Sequence, residues 1–243
     1  NGKWIINGQK RYISNGPVAS LYVVAARTDK KKNLREGLSG FLVPRETKGI
    51  SIGEVNEKIG QRLSMNSEIF FDNVEIPEDY IILGEGSMFE IRGNLLSMGK
   101  PEAAATALGV GRAAFEHALS HARERVQGGK IIGKHQVIET MLADMAMNID
   151  IARNYTLKTA WSVDHQKPYD FTQGWKCKVF ASEVAFDCAR LGIEIFGGAG
   201  VMQSGPMEKY LRDASTFLHS DGTNQLLRLR IGKTYINDMV SAF

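Results

Sequence analysis

Cysteine is nearly missing from this chain, with two in 243 residues. Cys177 and Cys188 fall in one helix-like stretch, about 16 Å apart along a straight helix. That spacing excludes a disulfide between them, and a reducing compartment is expected, either a bacterial cytoplasm or a mitochondrial matrix. Long apolar runs are also lacking: none approaches the ~18 residues of a membrane span, and no signal peptide is visible. Nor is there an excess of one charge. Thirty Lys and Arg stand against 27 Asp and Glu, a net charge of +3, and the scattered basic residues give no basis for binding nucleic acid. The densest basic run, residues 30–32, lies between two apolar strands and reads as a solvated turn. The chain opens on Asn1 in the middle of a strand pattern, which predicts a piece of something longer. A hydrophobic content of 43% supplies one large domain or two smaller ones with their own cores.

Two periodicities divide the chain. Over residues 1–84 the pattern is β. "KWIINGQKRYIS" predicts two strands around an Asn7-Gly8 hairpin turn, where both turn positions need positive φ. "SLYVVAART", "LSGFLVP" and "SEIFFDNVEI" follow as strands punctuated by turn residues. Strands in series without crossover helices predict an antiparallel sheet or barrel. From Gly86 the spacing becomes helical, with Met88, Ile91, Leu95 and Met98 at steps of three and four. Pro101 is expected to kink this helix before it resumes toward Arg125. Further helices are predicted over 134–165, with Ile138, Met141, Leu142, Met145 and Ile149 on one face, and over 170–196, 205–218 and 223–240. The expectation is an α+β multidomain piece: part of an antiparallel β-barrel or sheet domain (1–84), then an all-α four-helix-bundle domain (85–243).

The candidate motifs are locally ambiguous. "IFGGAG" (195–200) has dinucleotide-loop composition, but a helix rather than a strand runs into it, so Gly197 and Gly198 read as a helix stop and tight turn. Bare backbone there could still lie against a phosphate. His117 and His121 share a helix face without further ligands, which gives no metal site. Ser14, Ser64 and Ser204 lack a nucleophile elbow. In "LHSDGTNQLLR", Asp221 fits either the cap of the last helix or a general base, and the stretch alone leaves both open.

Five segments in order resemble the acyl-CoA dehydrogenase family, closest in character to its medium- and short-chain members. They are "NGQKRYISNG" (7–16), "IGQRLSMNSEIFFDNVEIPED" (59–79), "ARERVQGGKIIGKHQVIETMLADM" (122–145), "IEIFGGAGVMQSGPMEKYLRDA" (193–214) and "DGTNQLLR" (221–228), and the likeness spans essentially the whole chain. It implies the second half of a middle β-domain and a complete C-terminal helical domain. It also implies FAD as cofactor, an acyl-CoA substrate in fatty acid metabolism, electron-transferring flavoprotein as acceptor, and a homotetramer built as a dimer of dimers. The implied chemistry is an α,β-elimination: a carboxylate takes the α-proton and the β-hydrogen leaves as hydride to flavin N5. By position Asp221 stands at the base, where most members carry Glu.

The resemblance implies cofactor contacts from Tyr12, Ile13 and Ser14 beside the flavin ring. Arg125, Val126, Gln127, His135 and Gln136 match the segment that reaches a neighbouring subunit's pyrophosphate. Glu194, Ile195, Phe196, Gly197 and Gly198 match the adenine-end phosphate segment, and Thr223, Asn224 and Gln225 the residues after the base. Ser97, Met98, Gly99 and Lys100 fall on the substrate side, with Ser220 and Gly222 flanking the base. The sequence departs from the family pattern at several of these positions: Gln127 replaces a hydroxyl residue, Gly128 a Phe, Glu194 a Gln and Lys100 an Arg. Gly99 occupies the site where some branched-chain members place their base. Asp for Glu at 221 and Ser for Tyr at 220 both remove volume, which predicts a pocket opened near the α-carbon. Two rival readings are a nitroalkane-oxidase-like flavoprotein using the same Asp, and a non-enzymatic oligomerisation module.

Overall fold

The computed structural model describes residues 2–237, apart from the side chains of residues 90, 92 and 94. Helix predicted over 238–240 lies outside the described residues. The chain forms two compact units, one ending at Leu95 and the other beginning at Leu96.

The first unit carries strands β1 (Lys3–Ser14), β2 (Leu21–Arg27), β3 (Leu38–Pro44), β4 (Ile50–Ile52), β5 (Asn66–Pro77) and β6 (Ile81–Ile82), with a single helical turn α1 (Leu34–Gly37) before β3. They pair as two antiparallel three-stranded sheets, β1-β5-β4 and β2-β3-β6. Ile6, Tyr22, Val24, Phe41, Val43, Ile69, Phe71, Val74 and Ile76 form the core. Period-2 alternation explains most of that set.

The hairpin expected at Asn7-Gly8 does not form. β1 runs through these residues as one strand, paired with β5 from Lys3↔Pro77 to Ser14↔Asn66. Two compensating bulges interrupt the ladder. In the first, Asp72 and Asn73 oppose the single residue Asn7, so the inward set of β5 steps from Phe71 to Val74. Asn73 takes φ 48° there. The Asn7 amide, read as turn chemistry, bonds across the sheet instead: Asn7 Nδ2 donates to Asn73 Oδ1 (3.3 Å) and Asn73 N to Asn7 Oδ1 (2.8 Å). The second bulge lies in β1 at Arg11 and Tyr12, and Tyr12 takes φ 57°.

Helix α2 (Met88–Met98) ends where α3 (Lys100–Glu124) begins. Pro101 does not kink one long helix. The break falls at Gly99, and Pro101 sits in the first turn of α3, where its missing N–H leaves no helical bond unmade. The second unit continues with a small hairpin, β7 (Val126–Gln127) and β8 (Lys130–Ile131), then α4 (Gln136–His165), α5 (Phe171–Phe196), α6 (Met207–Phe217) and α7 (Asn224–Asn237). Gly128 and Gly129 turn the hairpin with φ 63° and 79°, a pair of left-handed residues matched to strand twist.

Helix α5 is the centre of this unit and packs against α3, α4, α6 and α7. Its contact with α3 is a seam of small residues: Ala104, Ala107, Ala114, Ala118 and Ala122 are all buried. A Cβ on Gly111 would come within 2.9 Å of Ala185 Cα, so the two backbones approach closely because neither helix presents bulk. Met145 and Ile149 of α4 are buried in the same core, with Ile138, Met141 and Leu142 packed at its edge. Cys177 and Cys188 are buried free thiols.

Candidate active site

Helix α6 ends at Phe217, and six residues later the chain reaches Thr223, the true cap of α7. The Thr223 hydroxyl accepts from Leu226 N (3.3 Å) and its carbonyl from Leu227 N (3.0 Å). Asp221 is therefore not the cap. It sits in the turn before it, exposed to solvent, with φ 51°. Gly222 follows at φ 88°. A non-glycine residue in the left-handed region costs about 1 kcal/mol or more and persists only where its surroundings hold it.

Two lysines hold it. Lys100, at the start of α3, is 4% exposed and donates from Nζ to the Asp221 carbonyl oxygen at 2.6 Å. Lys178, on α5, is 1% exposed and donates to the Gly222 carbonyl oxygen (3.0 Å) and to Asn224 Oδ1 (2.8 Å). Hydrogen bonds from a charged donor are roughly twice as strong as neutral ones. The Asn224 amide is spent inward: Nδ2 donates to Ser182 Oγ (3.0 Å) and Glu183 Oε1 (3.2 Å), while Arg228 pairs with Glu183. Burial pushes the Lys178 ammonium down to about 8, and the positive Lys100 adds to that; Asp221 and Glu183 oppose it. Lys100 is lowered too, by burial first, with Asp221 opposing and Arg230 reinforcing.

Ser97 is buried just before this end of α3, and Ser220 is half-buried beside Asp221. Asp221, Gly222, Asn224 and Lys100 are thus brought together directly, by contacts spanning 44 to 121 residues of sequence. Gln225 is exposed and lines a cleft of about 230 Å³ with His219, Glu183 and Asp187.

Arg125, Val126, Gln127, His135, Gln136 and residues 194–198 lie at the opposite end of the bundle. The His121 ring stacks on Phe196 with centroids 4.0 Å apart, which ties the last turn of α3 to the end of α5. Burial and the neighbouring Arg125 hold His121 below the usual imidazole range. Arg125 is exposed at the C-cap of α3. His135 Nε2 bonds the Gln127 carbonyl (3.1 Å) and pins the small hairpin. A Cβ at Gly128 would stand 3.3 Å from the His135 ring, so glycine at 128 and histidine at 135 fit together. Gly197 stops α5 with φ 60° and ψ −138°, a combination open to glycine. Added Cβ atoms at Gly197 or Gly198 would meet nothing within 4 Å, so the backbone there is bare. The Glu194 carboxylate is engaged by Arg190 one turn earlier.

In the β unit, the bulge at Arg11 and Tyr12 leaves Tyr12 70% exposed, with the Arg11 guanidinium 5.7 Å from its ring centroid. Ile13 and Ser14 line a hollow of about 210 Å³ with Tyr22 and Phe71.

Lys178, Ser182 and Glu183 are the residues that sequence reasoning missed. A signal was present: Lys178 falls on the small-residue stripe Gly174, Lys178, Ala181, Ala185, Cys188, Gly192, which is buried along its length. A lysine in that register is either a defect or a buried cation with a partner.

Comparison with known proteins gives one consistent result. The family model described as acyl-CoA dehydrogenase, C-terminal domain, matches residues 89–236, and that of the middle domain matches 1–74. The chain is 37% identical to an acyl-CoA dehydrogenase of Bacillus subtilis over 96% of its own length and 61% of the relative's. It is 36% identical to a cyclohexane-1-carbonyl-CoA dehydrogenase of Geobacter metallireducens, over 97% of this chain and 61% of the relative. The solved butyryl-CoA dehydrogenase of Megasphaera elsdenii superposes with a TM-score of 0.93 at 33% identity, covering 96% of this chain and 61% of that one. The chain thus spans about three-fifths of the length of the curated relatives it matches.

Proposed function

The chain belongs to the acyl-CoA dehydrogenase family, and from that premise we propose that it carries the catalytic base of an FAD-dependent dehydrogenase acting on an acyl-CoA thioester, the base being Asp221. The observation that carries this reading is the Asp221 turn itself. A carboxylate not used as a helix cap is displayed to solvent on strained backbone, and two buried ammonium groups hold that backbone.

FAD, when bound, supplies the acceptor for the hydrogen that leaves Cβ with its electron pair. Asp221 takes the α-proton. A backbone N–H at the base is read as holding the thioester oxygen as charge develops on it, with Gly222 flanking the base on the substrate side. Tyr12, Ile13 and Ser14 would line the flavin ring, and Thr223 and Gln225 its ribityl side. Ser97, Met98, Gly99, Lys100 and Ser220 would bound the acyl group. With the proposed domain bounds of 1–84 and 85–243, the ring-side residues belong to one domain and the base to the other.

The residues at the far end fit the pyrophosphate of a second FAD. Bare backbone at 197–198 and the exposed Arg125 guanidinium suit an anion. They cannot serve the flavin at Asp221. Lys100 touches the base turn, and 25 residues of helix at 1.5 Å rise put Arg125 about 37 Å away. A flavin ring and its pyrophosphate are separated by seven single bonds of about 1.5 Å each. This supports a neighbouring-subunit role for Arg125, His135, Gln136 and 194–198, and so a dimer of dimers. Electron-transferring flavoprotein is the proposed acceptor.

The acyl group is proposed to be branched or cyclic. Asp in place of Glu withdraws the carboxylate by about 1.5 Å, and a misplacement of ~1 Å can cost ~100-fold in rate. The turn is held at both carbonyls, which favours a substrate whose reacting carbon sits closer over a shift of the main chain. Ser220 leaves room for a ring or branch, and filling that room gains apolar contact. The relative named for cyclohexane-1-carbonyl-CoA agrees with this choice. The test is turnover of the full-length protein with cyclohexane-1-carbonyl-CoA, 2-methylbutanoyl-CoA, butanoyl-CoA, octanoyl-CoA and nitroethane. A linear C4 to C8 thioester preferred tenfold over every cyclic or branched one ends the volumetric argument. Oxidation of nitroethane in place of any thioester ends the acyl-CoA reading.

A further inference from the structure

Among the described residues, both hydrogen bonds of the Lys178 ammonium go to the segment around Asp221. Its ammonium holds the Gly222 carbonyl and the Asn224 side chain, and Asn224 opens α7 one residue after the cap. We infer that Lys178 is a positioning residue for the reaction: through these two bonds it fixes the left-handed Asp221–Gly222 backbone and so sets where the carboxylate stands. The inference rests on Asp221 as base, although Lys178 itself touches neither substrate nor flavin.

Three observations carry it. The first is the cost. An ammonium placed on the buried stripe of α5 is unfavourable relative to an apolar residue of the same size. The depressed Lys178 pKa reports that penalty, with burial as its main cause. A fold selected for stability alone gains nothing from this residue. The second is convergence. Lys100 on α3 and Lys178 on α5 grip the consecutive carbonyls of Asp221 and Gly222 from two different helices. Two fixed points on adjacent peptide groups leave the turn little freedom, which is what a base needing sub-ångström placement requires. The third is that the strain is local. Asp221 and Gly222 are consecutive positive-φ residues, and without a tether Asp221 relaxes toward the ordinary right-handed region. The charged groups that face Lys178 are Lys100 on α3, Asp221 in the turn and Glu183 on α5 itself; Glu183 is already shared between Asn224 and Arg228 of α7. The Gly222 carbonyl and the Asn224 side-chain oxygen accept the Lys178 hydrogen bonds.

The test uses the full-length holoenzyme and two readouts. Hydrogen exchange of amides 218–226 reports the turn, and rapid-mixing flavin reduction by cyclohexane-1-carbonyl-CoA reports the chemistry. Lys178→Met keeps the volume and removes the donors. It should speed exchange across 218–226 at least ~10-fold while the rest of α5 stays protected. It should also slow reduction ~10-fold or more, with substrate Kd within about threefold. Asp221→Asn should abolish reduction without changing exchange. Unchanged exchange in Lys178→Met overturns the inference, as does loosened exchange with undiminished reduction. Full reduction in Asp221→Asn refutes the base assignment instead, and the exchange result then judges the clamp by itself. If Lys178→Met fails to fold, the parent still decides. The Ser220 and Asn224 amides, bonded to the Thr216 and Leu218 carbonyls, should exchange at least ~10-fold more slowly than the His135 amide, which bonds Ile132 in a turn without a buried cation. Equal rates overturn the clamp.

Discussion

At one end of the helical unit, two ammonium groups are buried to hold two peptide carbonyls in place. At the other, some 37 Å along α3, Gly197 and Gly198 leave backbone bare and Arg125 stands in solvent. Both ends involve charge and glycine, yet the tasks proposed for them differ. A general base must be placed within a fraction of an ångström, so its turn is tethered through buried bonds. An anion-binding surface needs only accessible N–H groups and a positive charge, and it tolerates open geometry. On the proposed reading, rigid polar burial goes with the proton transfer and exposed small residues with the cofactor.

The largest expected effect separates the ends outright. Asp221→Ala should slow flavin reduction by roughly 10³-fold, within the range general-base catalysis supplies, while the amount of bound FAD stays at the parent level. Reduction within threefold of the parent removes Asp221 from the chemistry. Arg125→Ala should do the reverse. FAD affinity should drop by roughly 10–100-fold through loss of a charge-assisted phosphate contact, and the reduction rate of the fraction still loaded should hold. Mixing the two variants sharpens the comparison. If Arg125 serves a neighbour, heterotetramers of Asp221→Ala and Arg125→Ala subunits recover sites in which an intact base lies beside an intact Arg125. No recovery means that each subunit serves itself.

Much of this contrast was legible in the sequence, but unevenly. Gly197 stops its helix as the local pattern predicted, because helix termination is decided within a few residues. Strand and helix periods were legible for the same reason. What failed was set at long range. Asn7-Gly8 reads as a hairpin locally, yet a ladder with β5 some 65 residues away claimed it and used the Asn7 side chain across the sheet. The choice between base and cap at Asp221 could not be made locally either. Thr223 takes the cap, and the grip on Asp221 comes from residues 44 and 121 positions away from the carbonyls they hold. Lys178 was overlooked because a lysine in a helix is ordinarily solvated; only its register on a small-residue stripe betrays it.

A smaller effect tests the cost of the tethered end. The Lys178 ammonium is pushed down to about 8 from an unfolded value of 10.5. Between those values the unfolded chain binds more protons than the folded one, so this group's contribution to stability rises with pH. Below pH 8 the burial penalty is fully present. Relative to Lys178→Met, the parent should gain roughly 2 kcal/mol between pH 7 and pH 10, a change of ~5 °C in the Tm difference. Tyr155, Tyr169 and Cys188, each pushed up to about 12 chiefly by burial, lose stability over the alkaline range in both proteins and cancel in the comparison. Parallel Tm curves refute the buried charge.

The smallest effect answers the question of cap or base through stability alone. An N-cap hydroxyl replaced by Ala typically costs ~1 kcal/mol, because an orphan N–H at the helix start loses its acceptor. Thr223 provides that acceptor for Leu226 N, so Thr223→Ala should lower stability by ~1 kcal/mol. Asp221 is exposed, outside the helix, and in a conformation its own side chain does not favour. Asp221→Ala should therefore change stability by less than ~0.5 kcal/mol in the pH 7 urea midpoint, as surface substitutions usually do. Asp221→Gly should go further and stabilise the turn by a few tenths to ~1 kcal/mol, since glycine adopts positive φ without the Cβ penalty. Activity orders the same variants the other way: Thr223→Ala keeps the base and should still reduce the flavin it retains, whereas neither Asp221 variant should. Residues that trade stability for function in this manner are held by their surroundings against their own preference. If Asp221→Ala instead proves as destabilising as Thr223→Ala, its carboxylate is holding the turn and the lysines are not its sole support.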